Sequence, residues 1–335
     1  MDILFKKISK AIKIATGKSS AKLHTPFFIG KEKLYLKNCI KSTFVSTTGK
    51  YIQQFEEKIK KFTGARHVVT VVNGTAALQI ALRVLGAKEF DEVLVPSLTF
   101  VGTGNAIKHC GAIPHFVDSE ENSLGICLDN LEIYLKKISV KKGSFIYNKN
   151  TGRRIFAVIP VHVYGHIINM KKLRKIAQKF KLKIVEDAAE SLGSFYLGKH
   201  AGTMGDLGIL SFNANKVITT GGGGAILTKN PLLAKQARHL ASTAKLAHPW
   251  KFVHDKVAWN YRMPNINAAL GCAQIEKINT ILKYKKKITK KYQKEFKFYE
   301  NVIFVNQPKG CKSNYWLNTI KVKNLTFSQR DKLLS

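Results

Sequence analysis

The chain has 335 residues, 45% of them hydrophobic, enough for one large domain and a smaller one. That composition excludes a disordered chain, and no apolar run approaches the roughly 18 residues of a membrane-spanning helix. The formal net charge is +35, but the lysines are spread throughout without a basic aromatic stripe or nucleic-acid-binding motif, so they are read as solvated surface and not as a nucleic-acid site.

In chain order, Leu4, Phe5, Ile8, Ala11, Ile12 and Ala15 recur at helical spacing among lysines, without a secretory cleavage site. Segment 1–25 is therefore a basic amphipathic helix that packs on its own domain or a partner subunit, with a membrane-surface helix as the alternative. A Gly/Ser break at 17–20 follows, then helical patterns at 31–40 and 51–62. From there strands at 68–72, 92–95, 113–117, 154–160 and 183–187 alternate with helices at 75–85, 103–110 and 170–180. This alternation predicts an α/β fold with a mostly parallel, buried sheet, whose functional residues gather beyond the carboxyl ends of the strands. Beyond residue 267 a lysine-rich helix runs to about 299, and short strands are expected at 302–305 and 316–322. The expected division is 1–25, a large domain at 26–265, and a linking helix with a small α/β domain at 266–335, incomplete where the chain stops at Ser335. Cys39, Cys110, Cys127, Cys272 and Cys311 form no C-x-x-C pair, which suits free thiols in a reducing cytoplasm and no metal site.

Five segments carry candidate chemistry. The run 208–225, GILSFNANKVITTGGGGA, sets Lys216 on a turn after a buried strand and before four glycines. A carbonyl-reactive lysine needs a fixed position with room beside the main chain, although a charged turn residue fits equally well. Asn73-Gly74-Thr75-Ala76 opens a helix, so that the Gly74, Thr75 and Ala76 amides form an anion cradle or an ordinary N-cap. Asp187 ends a buried strand, where a carboxylate needs a cation or donors; helix capping is the plainer role. Phe100 follows a strand and suits stacking on an aromatic ring, or core packing. The segment around Asn260 and Arg262 places polar donors in an aromatic loop before a small-residue helix, which also reads as an interface helix. Together these supply the protein groups that pyridoxal phosphate requires.

The order of the motifs FVSTTGKYIQQFEEKIKKFTG, VVNGTAALQIAL, VPSLTFVGTGNAI, VIPVHVYGH, IVEDAAESLGS, GDLGILSFNANKVITTGGGGAI and WNYRMPNINAALG resembles the DegT/DnrJ/EryC1/StrS sugar aminotransferases. The resemblance covers the chain from about Phe28 onward. It implies a fold-type I pyridoxal phosphate enzyme with a seven-stranded, mostly parallel sheet. By that resemblance Lys216 carries the cofactor, and Asp187 pairs with the pyridine nitrogen. Gly74, Thr75, Ala76 and Ser211 hold the phosphate, with Asn213 beside the lysine, and Phe100 stacks on the ring. Glu190 stands where the family usually has Gln or His beside the cofactor's phenolic oxygen, and so is expected to bind the cofactor. Asn260 reaches the phosphate from a neighbouring subunit, which implies a homodimer with shared sites. Thr48, His162 and Tyr164 match positions near the substrate. A lysine at 216, where a deoxygenating branch has His, implies amino transfer. The sequence TTGGGG for the usual TTGEGG, with the opening LHTPFFIGKEK, resembles the branch acting on UDP-linked 4-keto sugars, with glutamate as donor. A non-catalytic remnant of the family and a sugar dehydratase are the alternatives.

Overall fold

The computed structural model describes residues 2–20 and 22–334, so Met1, Ala21 and the final Ser335 of the expected segments lie outside the described residues. The central sheet contains β1 (His67–Val71), β2 (Glu92–Pro96), β3 (Ile113–Val117), β4 (Ile155–Val158), β5 (Lys183–Asp187), β6 (Leu207–Ser211) and β7 (Gly224–Thr228). Their spatial order is β1-β7-β6-β5-β4-β2-β3. Strands β6, β5, β4, β2 and β3 pair in parallel, and β7 runs antiparallel to both β1 and β6. The mostly parallel α/β sheet expected from the alternation is the one observed.

The helices are α1 (Asp2–Thr16), α2 (Glu32–Lys41), α3 (Lys50–Thr63), α4 (Gly74–Leu85), α5 (Val101–His109), α6 (Leu128–Ile138), α7 (Met170–Lys179), α8 (Pro231–Ala241), α9 (Asn265–Glu276), α10 (Ile278–Phe296) and α11 (Phe327–Leu334). Continuous apolar runs such as Val93-Leu94-Val95 suit a sheet covered on both faces. Alternate side chains feed different cores: Leu94 and Leu210 join one cluster with Phe55 and Phe212, while Val93, Val95 and Ile209 join the other. Thus Leu94 and Leu210 face one layer and their chain neighbours the opposite one.

Several expectations need correction. The single helix expected from 267 to 299 is two helices, broken at Lys277, whose ψ of 3° departs from the helical range. The strand expected at 316–322 contracts to Ile320–Val322, which pairs with Val302–Phe304. Strand β7, helices α6 and α8, and the hairpin of Ser139–Lys142 with Phe145–Asn148 had no separate signal in the sequence reading. The first residue of β7 must be glycine for a steric reason. An ideal Cβ on Gly224 would lie 2.5 Å from the Asn73 backbone.

The small-residue helix α9 packs within the chain against α3 and α2. There a Cβ on Gly271 would meet the Phe55 ring at 2.7 Å. Helix α1 packs on α10, and Ile8 and Ala11 join Phe296, Val302, Phe304 and Tyr315 in a third apolar cluster. The amphipathic face read from the sequence therefore lies on its own chain.

Candidate active site

Lys216 lies on the loop joining β6 to β7. The loop is closed by Phe212 N donating to Gly223 O at 2.8 Å and Thr220 N donating to Phe212 O at 2.9 Å. Gly221, at φ +79°, makes a left-handed turn that a side chain would strain. Lys216 Nζ stands 3.7 Å from Glu190 Oε1 and 4.1 Å from the centre of the Trp316 ring. Trp316 Nε1 donates to Asn215 O at 2.6 Å, so this ring is tied to the lysine loop.

Glu190 Oε2 accepts the Tyr164 amide at 2.7 Å. Burial raises the Glu190 pKa, and the charge of Lys216 opposes the rise. Tyr164 itself has φ 54°, a left-handed conformation costly for a non-glycine residue, and this conformation belongs to the turn that presents its amide to Glu190. Burial also raises the Tyr164 phenol pKa, with Glu190 adding to it.

Asp187 ends β5 beside Ile209 of β6. Its Oδ2 accepts the Thr103 hydroxyl at 2.8 Å, and Oδ1 accepts Ala189 N at 3.1 Å. Thr103 Oγ1 lies 2.8 Å from Thr99 Oγ1. No helix follows Asp187, so the capping alternative does not hold. The adjacent Glu186 is fully buried and faces a different set of partners. It accepts His162 Nε2 at 3.0 Å, Gly202 N at 2.9 Å, Met204 N at 2.5 Å and Gly205 N at 2.6 Å. Burial would raise the Glu186 pKa, but His162 and the amides prevail and lower it.

The amides at the start of α4 are arranged differently from the expected anion cradle. Ala76 N does not point outward; it donates to Asn73 Oδ1 at 2.8 Å, because Asn73 caps α4. The Gly74 and Thr75 amides have no partner among the described residues. A Cβ on Gly74 would lie 3.2 Å from Ser211 Cβ, which places Ser211 against the cradle. A Cβ on Gly102 would lie 2.8 Å from Thr75 Oγ1 and 3.0 Å from the Phe100 ring, so those two groups share one corner. Phe100 is 69% exposed and therefore not a core residue.

Phe100, Val161, Val163, Tyr164, Glu190 and Trp316 line a cavity of about 240 Å³. His162 is brought to this neighbourhood but is wholly buried against Glu186. Its expected substrate contact is replaced by a place behind the site. Asn213 is exposed, and its amide donates to Ser211 Oγ at 3.5 Å. Asn260 is exposed and bridges to Ser242, with no contact to Gly74 or Ser211 within the chain. Thr48 is exposed beside Thr47, whose hydroxyl accepts Arg262 Nη2 at 2.9 Å. Thr103, Glu186 and Trp316 are the site residues the sequence reading missed. Thr103 carried a findable signal: it lies one helical turn after Phe100.

Two unpartnered amides, a buried acid, an exposed aromatic and a loop lysine fit the phosphate, ring nitrogen, ring face and aldehyde of pyridoxal phosphate. Among the described residues, no cluster of His, Cys, Asp or Glu could hold a metal ion, and no helix is long and apolar enough to cross a membrane.

Residues 29–335 match the model of the DegT/DnrJ/EryC1/StrS aminotransferase family. The chain belongs to that family. Its members depend on pyridoxal phosphate, and the fold is the fold-type I one. The chain is 37% identical over 312 residues to GDP-perosamine synthase of Escherichia coli O157:H7, covering 93% of this chain and 80% of that protein. It is 32% identical over 287 residues to the UDP-4-amino-4,6-dideoxy-N-acetyl-beta-L-altrosamine transaminase of Campylobacter jejuni, covering 85% and 68%. The crystal structure of the aminotransferase TlmJ from Streptoalloteichus hindustanus superposes with a TM-score of 0.82 at 25% identity, covering 93% of this chain and 81% of that one.

Proposed function

We propose that this aminotransferase moves an amino group from glutamate to the keto carbon of a nucleotide-linked 4-keto deoxy sugar, in the cytoplasm and as a homodimer. The observation that carries the reading is the position of Lys216 Nζ, 3.7 Å from Glu190 at the rim where Asp187 ends its strand. Pyridoxal phosphate, when bound, supplies an electron sink for the carbon that loses its proton. Lys216 Nζ would hold the cofactor and would serve as the base that moves the proton. The Asp187 carboxylate would hold a proton on the ring nitrogen. Thr103 and Ala189 N fix its orientation by occupying one lone pair on each oxygen. The Gly74 and Thr75 amides, the Thr75 hydroxyl and Ser211 bind the phosphate at the start of α4, where the helix dipole adds to the attraction. Phe100 would cover the ring, Asn213 would be a further cofactor contact beside the lysine, and Asn260 would complete the neighbouring subunit's site.

Glu190 and Tyr164 line the small cavity with Phe100 and Trp316. The nucleotide stands between two choices. The sequence motifs favour UDP, whereas the relative sharing 37% identity is named for a GDP sugar. The test is incubation of the chain, pyridoxal phosphate and glutamate with UDP-linked and GDP-linked 4-keto-6-deoxyhexoses. The expected products are 2-oxoglutarate and an equal amount of aminated sugar from one nucleotide series. Neither product from either series, in folded protein carrying the cofactor, would overturn the acceptor assignment.

A further inference from the structure

Two adjacent acids end β5, and their side chains meet different partners. Asp187 bonds to Thr103 of α5, whereas Glu186 is enclosed with His162 and the loop at 202–205. This is the alternation of a strand, which sends successive side chains to opposite faces. Glu186 and His162 are both wholly buried. Taking a carboxylate out of water is costly, and apolar residues of the same volume would stabilise the fold about as well. What the pair adds is direction.

The hydrogen bonds define where the protons are. Glu186 accepts three amides and the His162 ring, which satisfies a carboxylate that carries no proton of its own. His162 Nδ1 is buried without a partner among the described residues. A proton there would have no acceptor, so the ring donates through Nε2 alone. One donor and one acceptor, 3.0 Å apart, therefore fix the angle of the imidazole.

The same histidine is joined to Asp187 through the main chain. Val161 bridges Asp187 in parallel. Asp187 N donates to Pro160 O at 2.9 Å, and His162 N donates to Asp187 O at 3.1 Å. The Glu186 carboxylate, the His162 ring and the two backbones thus close a ring of bonds. That ring contains the Asp187 Cα, so it fixes the direction in which the Asp187 carboxylate leaves the strand. His162 O accepts Ser191 Oγ at 2.9 Å and Gly165 N at 3.2 Å, so the same peptide also begins the turn that gives the Tyr164 amide to Glu190.

We propose that His162 is a positioning residue for amino transfer: its hydrogen bond to Glu186 sets the angle at which Asp187 meets the ring nitrogen of the cofactor. The proposal rests on the reading of Asp187 as the acid paired with that nitrogen. His162 does not line the small cavity, although Val161 and Val163 do, and it acts through Asp187. Thr103 and Ala189 N then fix the rotation of a carboxylate whose direction is already set.

The test compares equilibrium binding of two ligands to the full chain: pyridoxal phosphate and its deaza analogue, in which a C–H replaces the ring nitrogen. Both carry the phosphate and the aldehyde, so a general loss of structure weakens both. The preference between them reads the Asp187 contact. The unsubstituted chain is expected to prefer pyridoxal phosphate by roughly tenfold or more, the scale of a charge-assisted hydrogen bond. His162→Leu keeps the bulk and removes the donor, and should cut that preference by at least about threefold. His162→Gln, whose amide reaches Glu186 from the Nε2 position, should retain it. His162→Asn places its amide at the Nδ1 position, short of Glu186, and carries the test if His162→Leu does not fold. A preference unchanged in the folded Leu or Asn variant, or lost equally in His162→Gln, would overturn the proposal. The Asp187 reading fails differently: the unsubstituted chain would then show no preference, Asp187→Asn would change neither affinity, and the proposal would fall with it.

Discussion

The rim of the sheet and the lobe built by α1, α10 and the 302–322 strands position their groups by different physics. At the rim, hydrogen-bonded backbone places each group: Asp187 is the last residue of β5, and Lys216 is held by a loop whose ends are bonded together. In the lobe, apolar contacts do so: Ile8, Ala11, Phe296 and Phe304 cluster, while Lys285 and Asn318 line the adjoining cavity. A rim placed by backbone is rigid and tolerates a change of side-chain chemistry. A lobe placed by packing responds mainly to volume.

The sharpest separation comes from Lys216→Ala. Loss of the nucleophile and base should lower amino transfer by at least about 10³-fold while the melting temperature moves little; a variant retaining near-normal initial rates would break the assignment. Asp187→Asn should reduce the rate by about 10²-fold with the cofactor still bound. Its rate constant, measured in single turnovers with glutamate, checks the role, and an unchanged constant contradicts it.

The next effects are on stability. Glu186→Gln removes the charge that answers His162 and three amides in a fully buried position. A cost of about 3 kcal/mol is expected from urea unfolding, comparable with breaking a buried ion pair. Ile8→Ala in the lobe should cost about 2 kcal/mol through the cavity it leaves. It should also leave the lysine-bound absorption of the rim intact. If it abolished that absorption, the two regions would not be separable.

Acid should reveal a further effect, spread over a pH range. Burial lowers the pKa of His166 and of His200 to about 4. His200 Nε2 accepts Gly193 N at 2.9 Å, so protonation there also breaks a hydrogen bond. The unfolded chain, with ordinary histidines near pKa 6.5, binds protons first as the pH falls. Stability is therefore full above about pH 6.5 and lost toward pH 4, by up to about 1.4 kcal/mol per pH unit for each histidine. Urea midpoints across that range check the sign. A midpoint that rises on acidification contradicts it.

The sequence revealed what depends on neighbours along the chain. Val93-Leu94-Val95 read as a buried strand, Asn73 ahead of Gly74 as a helix start, and Lys216 before the glycine run as a constrained lysine; all three depend on adjacent residues. Trp316 and Lys285 were not legible, because their meaning comes from contacts across about a hundred residues and thirty-one residues respectively. The 316–319 stretch has the β-branched and apolar content of a strand but serves as the link that ties a tryptophan to the lysine loop. Ala76 was misplaced for the opposite reason. A local competitor, the Asn73 side chain, took the amide.

The most direct test of the central claim is borohydride reduction of the full chain with pyridoxal phosphate, followed by peptide mapping. The account predicts a visible absorption band that reduction abolishes, with the label on Lys216 alone. A label distributed over the surface lysines, or no band in folded protein, would contradict it.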